Sequence, residues 1–354
     1  MIVHWSDKES CLCTQDLWLF RYFFRSEKLV KLCRLPRKNS GIRGLIIDFV
    51  ARSWLKQKLK PTAGIGHVLQ ISADKILVIH DRVYLCEQKK EKMTVRYIES
   101  QHHFARPLRN GLAVHPLSKK VYFGEYLNGH TRDIRIFSIN TDTLALELCW
   151  QFSRSEIKHV HAIHYDQYRN RLWVLTGDTD KESAFYYTDD EFQSLHKFAG
   201  GSQQWRAIAM LISADSIEWG MDAGKDAAAT DLNFLYSYTF STSICTRLEK
   251  VGNPVYAATF FESCNAVIAT TFEPGRKQPT IECAELWLQT NDKSWVSVLS
   301  LDYKKSHRSR VGNYAMIYLP YGELPTNTIV CTPVNTHAND YCTVLYKFKS
   351  DSDI

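Results

Sequence analysis

The sequence predicts an all-β fold made of repeated four-stranded units, and three observations support this. A pattern of apolar strand, polar turn and second strand recurs from residue 65 onward with a period of roughly 40–50 residues, the range of propeller blades. Aromatic residues make up 12% of the 354 residues, which suits β structure. A unit of this size cannot bury both faces alone, whereas units arranged radially cover each other. We therefore predict one β-propeller domain, 1–354, with six or seven four-stranded blades.

The N-terminal segment, 1–36, contains three predicted strands at 2–5, 16–24 and 28–35. The last unit of the chain shows only three strands of its own. One N-terminal strand is therefore expected to complete that unit and close the ring. Alternatively, the segment forms most of an extra blade.

Residues 41–60 depart from the β pattern and predict an amphipathic helix. Ile42, Leu45, Ile46 and Phe49 recur at helical spacing, basic residues lie largely elsewhere, and Pro61 ends the pattern. We favour a helix packed against the sheet domain, as is common in soluble proteins. The alternative is a peripheral contact with an anionic membrane surface or a partner protein.

The blades are predicted over 65–348. The first three occupy about 67–99, 111–152 and 160–201, and later ones begin at Arg206, Val255 and Tyr314. In a propeller, the loops from the fourth strand to the next blade and from the second to the third strand share one face. Here those loops are longer and more polar than the hairpin turns. This predicts a ligand site on the face that they share, which we call the mouth of the propeller.

Charge and cysteine content restrict the class of protein. The net charge is +6, but residues 1–60 alone carry about +8, counted directly from the sequence, which argues against nucleic-acid binding over the whole surface. The ten cysteines form no CxxC pair, and no secretory signal or membrane-spanning run is visible. These features predict a cytoplasmic protein with reduced thiols, or one at the inner face of the membrane.

Three carboxylates and two histidines are candidates for catalysis. Glycoside cleavage needs a proton donor and a base or nucleophile facing each other across the sugar, and mouth loops carry several carboxylates. His159 and His161 alternate on one strand, and the hairpin brings them toward Asp178. A histidine there could remove a proton next to a uronic carboxylate, as in lyase chemistry. The predicted catalytic set is Glu125, His161, Asp178 and Asp222.

Each of these residues also has a structural alternative. The carboxylates can cap loops or pair with arginines, and the histidines can be satisfied polar groups that line the mouth. Together with His102 or His103, the two histidines could instead hold a metal, but an HxH pair alone is a weak signal. No metal and no cofactor are assigned.

Polar and aromatic residues on the same loops are predicted to bind substrate. Arginine can hold a carboxylate with two hydrogen bonds, and tryptophan can stack on a sugar face. The alternative is ordinary rim packing. The predicted binding residues are Arg106, Arg109, Asn128, Arg132, His159, Gln203, Trp205, Arg206 and Asn233.

The spaced polar pattern over about 65–320 resembles the BNR-repeat, sialidase-like propellers, including uncharacterised bacterial members found with polysaccharide-related genes. The matching residues are Phe123-Gly-Glu-Tyr126 with Asn128 and Arg132, His159-Val-His161, Thr176-Gly-Asp178, Gly201-Ser-Gln203, Trp205-Arg-Ala207, Trp219-Gly with Asp222, and Thr270-Thr-Phe-Glu-Pro274. The resemblance implies a propeller in a carbohydrate setting. The Asp-box turn of that family is reduced to remnants near Asp142 and Asp292, and the sialidase arginine triad has no positional match.

The expected function is therefore action on, or recognition of, an acidic glycan at the propeller mouth. The first hypothesis is a glycosidase or lyase of polysaccharide metabolism. The second is a non-catalytic glycan binder or an accessory protein in polysaccharide assembly. A plain protein-interaction scaffold is the third, but the repeat signature of WD propellers is absent from the sequence.

Overall fold

The computed structural model describes residues 1–36, 65–90, 92–98, 103–263, 265–305 and 313–348. Over these ranges the chain is all-β, with one 3-10 turn at Gln203–Trp205. No helix in the described ranges is long and apolar enough to cross a membrane. The predicted helix at 41–60 lies outside the described residues, and its contact with a membrane or protein stays a prediction.

Twenty-eight strands occur in the described residues. In chain order they are β1 Ile2–Ser6, β2 Ser10–Gln15, β3 Trp18–Phe23, β4 Lys28–Arg34, β5 His67–Ser72, β6 Lys75–Ile79, β7 Val83–Lys89, β8 Lys92–Tyr97, β9 Leu112–His115, β10 Lys120–Gly124, β11 Ile134–Asn140, β12 Leu146–Phe152, β13 His159–Asp166, β14 Arg171–Gly177, β15 Ala184–Thr188, β16 His196–Gly200, β17 Met210–Ile212, β18 Ser216–Gly220, β19 Asn233–Thr239, β20 Ile244–Gly252, β21 Val255–Phe261, β22 Ala266–Thr270, β23 Cys283–Gln289, β24 Trp295–Asp302, β25 Met316–Tyr318, β26 Tyr321–Leu324, β27 Thr328–Val334 and β28 Val344–Lys347.

The chain divides into two compact units. Unit 1 comprises 1–98, 261–264 and 301–354, and unit 2 comprises 99–260 and 265–300. The single domain predicted from the sequence stays a prediction.

Unit 1 contains two four-stranded sheets, β1–β4 and β5–β8, each in sequential antiparallel order. β26 pairs parallel to β1, and β25, β27 and β28 form a three-stranded sheet. The N-terminus joins this last sheet, because the Met1 amino group donates to Tyr341 O at 2.9 Å and Val3 N donates to Thr332 Oγ1 at 3.0 Å.

The N-terminal segment therefore matches the extra-sheet alternative, with four strands instead of the three predicted. The missed strand is β2, whose Cys11, Leu12 and Cys13 are buried. Its core partners include Val68 and Ile76 of the next sheet, so the segment alone does not reveal where its apolar side chains pack.

Unit 2 repeats the four-stranded antiparallel order in the sheets β9–β12, β13–β16, β17–β20 and β21–β24. Its core clusters draw on consecutive sheets: Ile136 packs with Val160 and Val174, Trp173 packs with Trp219, and Leu235 packs with Ile268. Face-to-face packing of consecutive meanders is the way propeller blades bury both faces. The all-β fold and the four-stranded repeat are thus as predicted, whereas the predicted number of blades, six or seven, is not confirmed.

Two predicted blade starts need correction. The strand expected at Arg206 begins at Met210, because 203–205 form a 3-10 turn and Arg206 turns toward a polar cluster. The strand expected at Tyr314 begins at Met316.

Candidate functional site

Three polar side chains of unit 2 meet where β13 begins and β14 ends. His159 lies opposite Gly177, so Asp178 follows directly, and the register shifts between Val160 and Ala162 around His161. The Nε2 atoms of His159 and His161 are 3.1 Å apart. Asp178 Oδ1 lies 3.2 Å from the first and 3.3 Å from the second. The hairpin therefore brings these residues together as the sequence predicts, and we call them the histidine–aspartate cluster.

Backbone carbonyls fix the orientation of both imidazole rings. His159 Nδ1 lies 2.6 Å from Leu127 O, and His161 Nδ1 lies 3.0 Å from Ala207 O. A carbonyl only accepts, so each Nδ1 carries a proton, and Nε2 is the ring nitrogen that can offer a lone pair. The Tyr126 ring stacks on His159 with centroids 4.1 Å apart and an interplanar angle of 19°. Both imidazoles are thus held with their Nε2 atoms toward Asp178.

Two cations contact the Asp178 carboxylate. Arg206 Nη2 lies 3.1 Å from Oδ1, and Lys158 Nζ contacts Oδ2. Arg206 Nη1 and Gln203 Nε2 also donate to the Asp178 carbonyl, each at 3.0 Å. Lys158 directly precedes the two histidines, so its position beside them was a signal that sequence reasoning did not use.

Asp222 adds a second buried carboxylate on the other side of Arg206. Its Oδ2 lies 3.6 Å from Arg206 Nε and 3.8 Å from His161 Nδ1, and the side chain is only 5% exposed. Asp226 Oδ1 accepts from Arg206 Nη1 at 2.9 Å. Arg206 thereby joins three carboxylates, two of them buried. Asp226 was not predicted as a site residue.

The two aspartates differ in protonation. Burial raises the pKa of Asp222 to about 8, and the nearby charges of Asp178 and Glu273 add to this although Arg206 opposes it. Burial would also raise the pKa of Asp178, but the positive charge of Arg206 helps to hold that pKa well below its usual range. Burial lowers the pKa of His161 to about 4. Near neutral pH, Asp178 is therefore charged, whereas Asp222 is largely protonated and His161 is neutral.

The absence of a side chain at Gly177 makes room for the His161 and Arg206 side chains. A Cβ at this position would lie 2.6 Å from His161 Cε1 and 3.1 Å from Arg206 Cγ. The strand that carries Asp178 can approach the imidazole this closely only without a side chain at 177.

Glu125 occupies a separate ion-pair network. Its carboxylate accepts from Arg132 Nη1 and Nη2, each at 2.6 Å, from Arg135 Nε at 3.0 Å, and from the Ala105 amide at 2.7 Å. Burial alone would raise its pKa, but the hydrogen bonds from Arg132 and Arg135 keep the pKa below its usual range. The surroundings of Glu125 thus match the alternative in which a carboxylate pairs with arginines for a structural role. Arg135 is a partner that was not predicted.

The remaining predicted residues are dispersed. Trp205 stacks on Trp219 with centroids 5.0 Å apart and packs against Phe185 and Phe198, so it belongs to an aromatic core. Asn233 is buried and bonds the backbone at Ala223. Arg106 and Asn128 are exposed, and Arg109 is half-buried.

A basic groove of about 410 Å³ lies beside the Glu125 network. We call it the arginine groove, and its lining residues are Thr131, Arg132, Asp133, Arg135, Gln151 and Arg154. Three guanidinium groups face two carboxylates here, Asp133 and the buried Glu125, which leaves one net positive charge. Arg154 is exposed and forms no salt bridge with any described residue. Only Arg132 of this groove was predicted.

The loop between the groove and the cluster connects the two. Within it, Tyr126 stacks on His159 and the Leu127 carbonyl holds the His159 ring. Farther along, His130 Nε2 lies 3.0 Å from Glu182, whose carboxylate accepts from the Asp178 amide at 3.2 Å. The groove and the cluster are therefore parts of one polar region of unit 2.

No protein-family model and no curated protein sequence matches this chain. Among solved structures, an oligogalacturonate lyase from Vibrio parahaemolyticus is similar over 90% of this chain and 87% of its own, with 9% identity and a TM-score of 0.54. The RRP9 WD40 repeats are similar over 95% and 90%, with 11% identity and a TM-score of 0.52. The BT4673 extracellular domain from B. thetaiotaomicron has 13% identity and a TM-score of 0.52 over 99% of this chain.

These similarities show the fold, a β-propeller. This chain spans only 40% of the BT4673 extracellular domain. The resemblance to BNR-repeat, sialidase-like proteins is supported only at the level of the propeller fold, since no family or sequence match accompanies it.

Proposed function

We propose that this protein recognises an acidic glycan through the polar region of unit 2. The observation that carries the proposal is the arginine groove, where Arg154 is exposed beside Arg132 and Arg135. Guanidinium groups bind carboxylates with two parallel hydrogen bonds, and such charge-assisted bonds are about twice as strong as neutral ones. Gln151 and Thr131 add side chains that can bond sugar hydroxyls.

The histidine–aspartate cluster would extend this binding region. Tyr126 and Lys158 are half-buried beside it, and Asp180 is exposed. A glycan longer than one residue could contact both the groove and these side chains. The fold similarity to an oligogalacturonate lyase supports an acidic glycan as the ligand class. A cytoplasmic location remains part of the proposal, since the nine described cysteines are free.

A calorimetric comparison of an oligogalacturonate with its methyl-esterified form tests recognition. Esterification removes the charge and leaves the sugar intact, so we expect binding to weaken by about 10-fold or more, the value of one hydrogen bond to a charged group. Arg154→Gln should cause a similar loss. Arg247→Gln is the matched control, because Arg247 is exposed in unit 2 and does not line the groove. Equal affinity for both glycans would contradict the proposal.

Cleavage of the glycan is a second candidate, favoured by the opposite pKa shifts of Asp178 and Asp222. Carboxyl groups with separated pKa values can divide the roles of acid and base, and neutral His161 could accept a proton. Protonated Asp222 would then donate to the leaving oxygen. This assigns the protein to the glycosidases or lyases and keeps Asp178, Asp222 and His161 as candidates.

Mass spectrometry of acidic oligosaccharides incubated with the protein tests cleavage. Fragments that add up to the substrate plus one water indicate a hydrolase, whereas fragments without added water indicate a lyase. We expect both Asp222→Asn and Asp178→Asn to abolish the fragments. If the acidic oligosaccharide binds but stays intact, the protein is a binder and the cleavage candidate is wrong.

A further inference from the structure

We infer that the histidine–aspartate cluster binds one divalent first-row transition metal, such as Zn²⁺ or Co²⁺. The ligand atoms would be His159 Nε2, His161 Nε2 and Asp178 Oδ1, which all lie within 4.8 Å of one another. Two imidazole nitrogens and one carboxylate oxygen are a common donor set for such metals, and three protein ligands leave a position open for another ligand.

The orientation of the imidazoles is the first argument. Since Leu127 O and Ala207 O each accept the Nδ1 proton, Nε2 is the atom of each ring that can present a lone pair to a metal. These lone pairs lie 3.1 Å apart and face a carboxylate oxygen at 3.2 and 3.3 Å. Three acceptors packed this closely repel one another unless a cation or a proton lies between them. A divalent metal satisfies all three atoms at once.

The surroundings of the three atoms are the second argument. Metal-binding histidines almost always donate their other ring N–H to a carbonyl or carboxylate, which fixes the tautomer and ring orientation. Both histidines do so here, and each uses a carbonyl from a different segment of the chain. The Asp178 carboxylate is oriented in turn by Arg206. Asp222 Oδ1 lies buried nearby and accepts no hydrogen bond from any described residue.

Lys158 and Arg206 also place positive charge next to the metal position. This charge opposes cation binding, so the site should be weaker than one with the same ligands and no neighbouring lysine. Asp226 partly offsets the charge of Arg206. Removal of the Lys158 charge should therefore raise the affinity for the metal.

Metal binding does not require that the protein recognises a glycan. One consequence rests on the proposed function: the open position of the metal could accept a carboxylate oxygen of the acidic sugar. A metal on His161 Nε2 would also remove that atom as a proton acceptor, which would favour recognition over cleavage. A metal titration contains no glycan, so its failure and the failure of glycan recognition are separate results.

Titration of chelator-treated full-length protein with Zn²⁺, and with Co²⁺ followed by its visible absorption, tests the inference. We expect one metal per chain. We expect metal binding to weaken by about 100-fold or more in each of His159→Gln, His161→Gln and Asp178→Asn. Loss of a residue that only hydrogen-bonds to a metal ligand typically weakens metal affinity by roughly 10- to 100-fold. His164→Gln is the matched control, because His164 lies on the same strand and bonds Ile208 O outside the cluster.

Lys158→Met provides a variant that retains all three ligands, and it should strengthen binding by roughly 10-fold because a neighbouring positive charge is removed. It keeps the test decisive if a ligand variant fails to fold. Absence of stoichiometric Zn²⁺ or Co²⁺ binding by the wild-type protein would overturn the inference. So would binding that is unchanged in the folded ligand variants, or binding that Lys158→Met does not strengthen.

Discussion

At the scale of single residues, two buried carboxylates of unit 2 show how the surroundings decide a role. Glu125 is completely buried, and its carboxylate accepts hydrogen bonds from two arginines and a backbone amide. Asp222 is also buried, but its contact with Arg206 is longer and Arg206 is shared with Asp178 and Asp226. Glu125 is therefore held charged, whereas Asp222 is held largely protonated. Sequence alone placed both on mouth loops and could not separate them, since the difference depends on partners distant in the chain.

Glu125→Gln should destabilise the protein by about 3 kcal/mol near neutral pH, because it leaves two arginines without their buried anion. The folded-state pKa of Glu125 is lowered, so its stabilising effect is present above the unfolded-state pKa and is lost as pH falls through the folded-state pKa. Urea unfolding of wild type and variant measures this. The two proteins should converge below about pH 4, and a constant difference down to acid pH would contradict the ion-pair assignment.

Asp222→Asn should have the opposite pH dependence. The folded-state pKa of Asp222 is raised to about 8, so its stability contribution is full below the unfolded-state pKa and is lost as pH rises through the folded-state pKa. Wild-type stability should therefore fall relative to the variant by up to about 1.4 kcal/mol per pH unit between about pH 4 and pH 8. Urea unfolding across this range measures the difference. Parallel curves would show that Asp222 is charged throughout.

Gly177→Ala should destabilise the protein by about 1–3 kcal/mol, the usual cost of a forced overlap in a packed site. The added Cβ would meet His161 Cε1, and no polar group of the cluster is removed. Thermal or urea unfolding gives the change in stability. An unchanged stability would mean that β14 and the imidazole are too far apart for a Cβ at Gly177 to overlap His161 Cε1.

At the scale of elements, the β13–β14 hairpin was predictable because its apolar strands and polar turn lie within a short stretch. Its alternation also predicted that His159, His161 and Asp178 would meet. The arginine groove was not predictable in the same way. Arg132, Arg135 and Arg154 come from a loop, the β11 strand and the loop after β12, and the pairing of β11 with β12 brings them together. The strand β2 was missed because its core partners lie in another sheet.

Trp205→Ala tests the role of the 3-10 turn as a packing element. Trp205 stacks on Trp219, and the Trp219 indole donates to Gln204 O at 2.8 Å. We expect a loss of about 3 kcal/mol in the free energy of unfolding. Trp205→Phe retains an aromatic ring and should lose less. If Trp205→Ala instead weakened glycan binding without a loss of stability, the original prediction of a sugar-stacking residue would be restored.

At the scale of the whole molecule, the recurrent four-stranded period was sufficient to predict a β-propeller, which the solved structures support over nearly the entire chain. The number of blades did not follow from the period, because residues 1–36 could complete one unit or form their own. Function is less constrained than fold, since propellers serve many functions. The proposal of acidic-glycan recognition therefore rests on the arginine groove and the cluster beside it.

The most direct test of this proposal is a crystal structure of the protein with a bound oligogalacturonate. We predict that a sugar carboxylate contacts Arg154 together with Arg132 or Arg135, and that the glycan extends toward Tyr126 and Lys158. A second cavity of unit 2, of about 540 Å³ and lined by Lys120, Asp189, Asp190 and Glu191 among others, offers a comparison within the same crystal. A glycan bound in that acidic cavity, or no glycan in the arginine groove, would contradict the account.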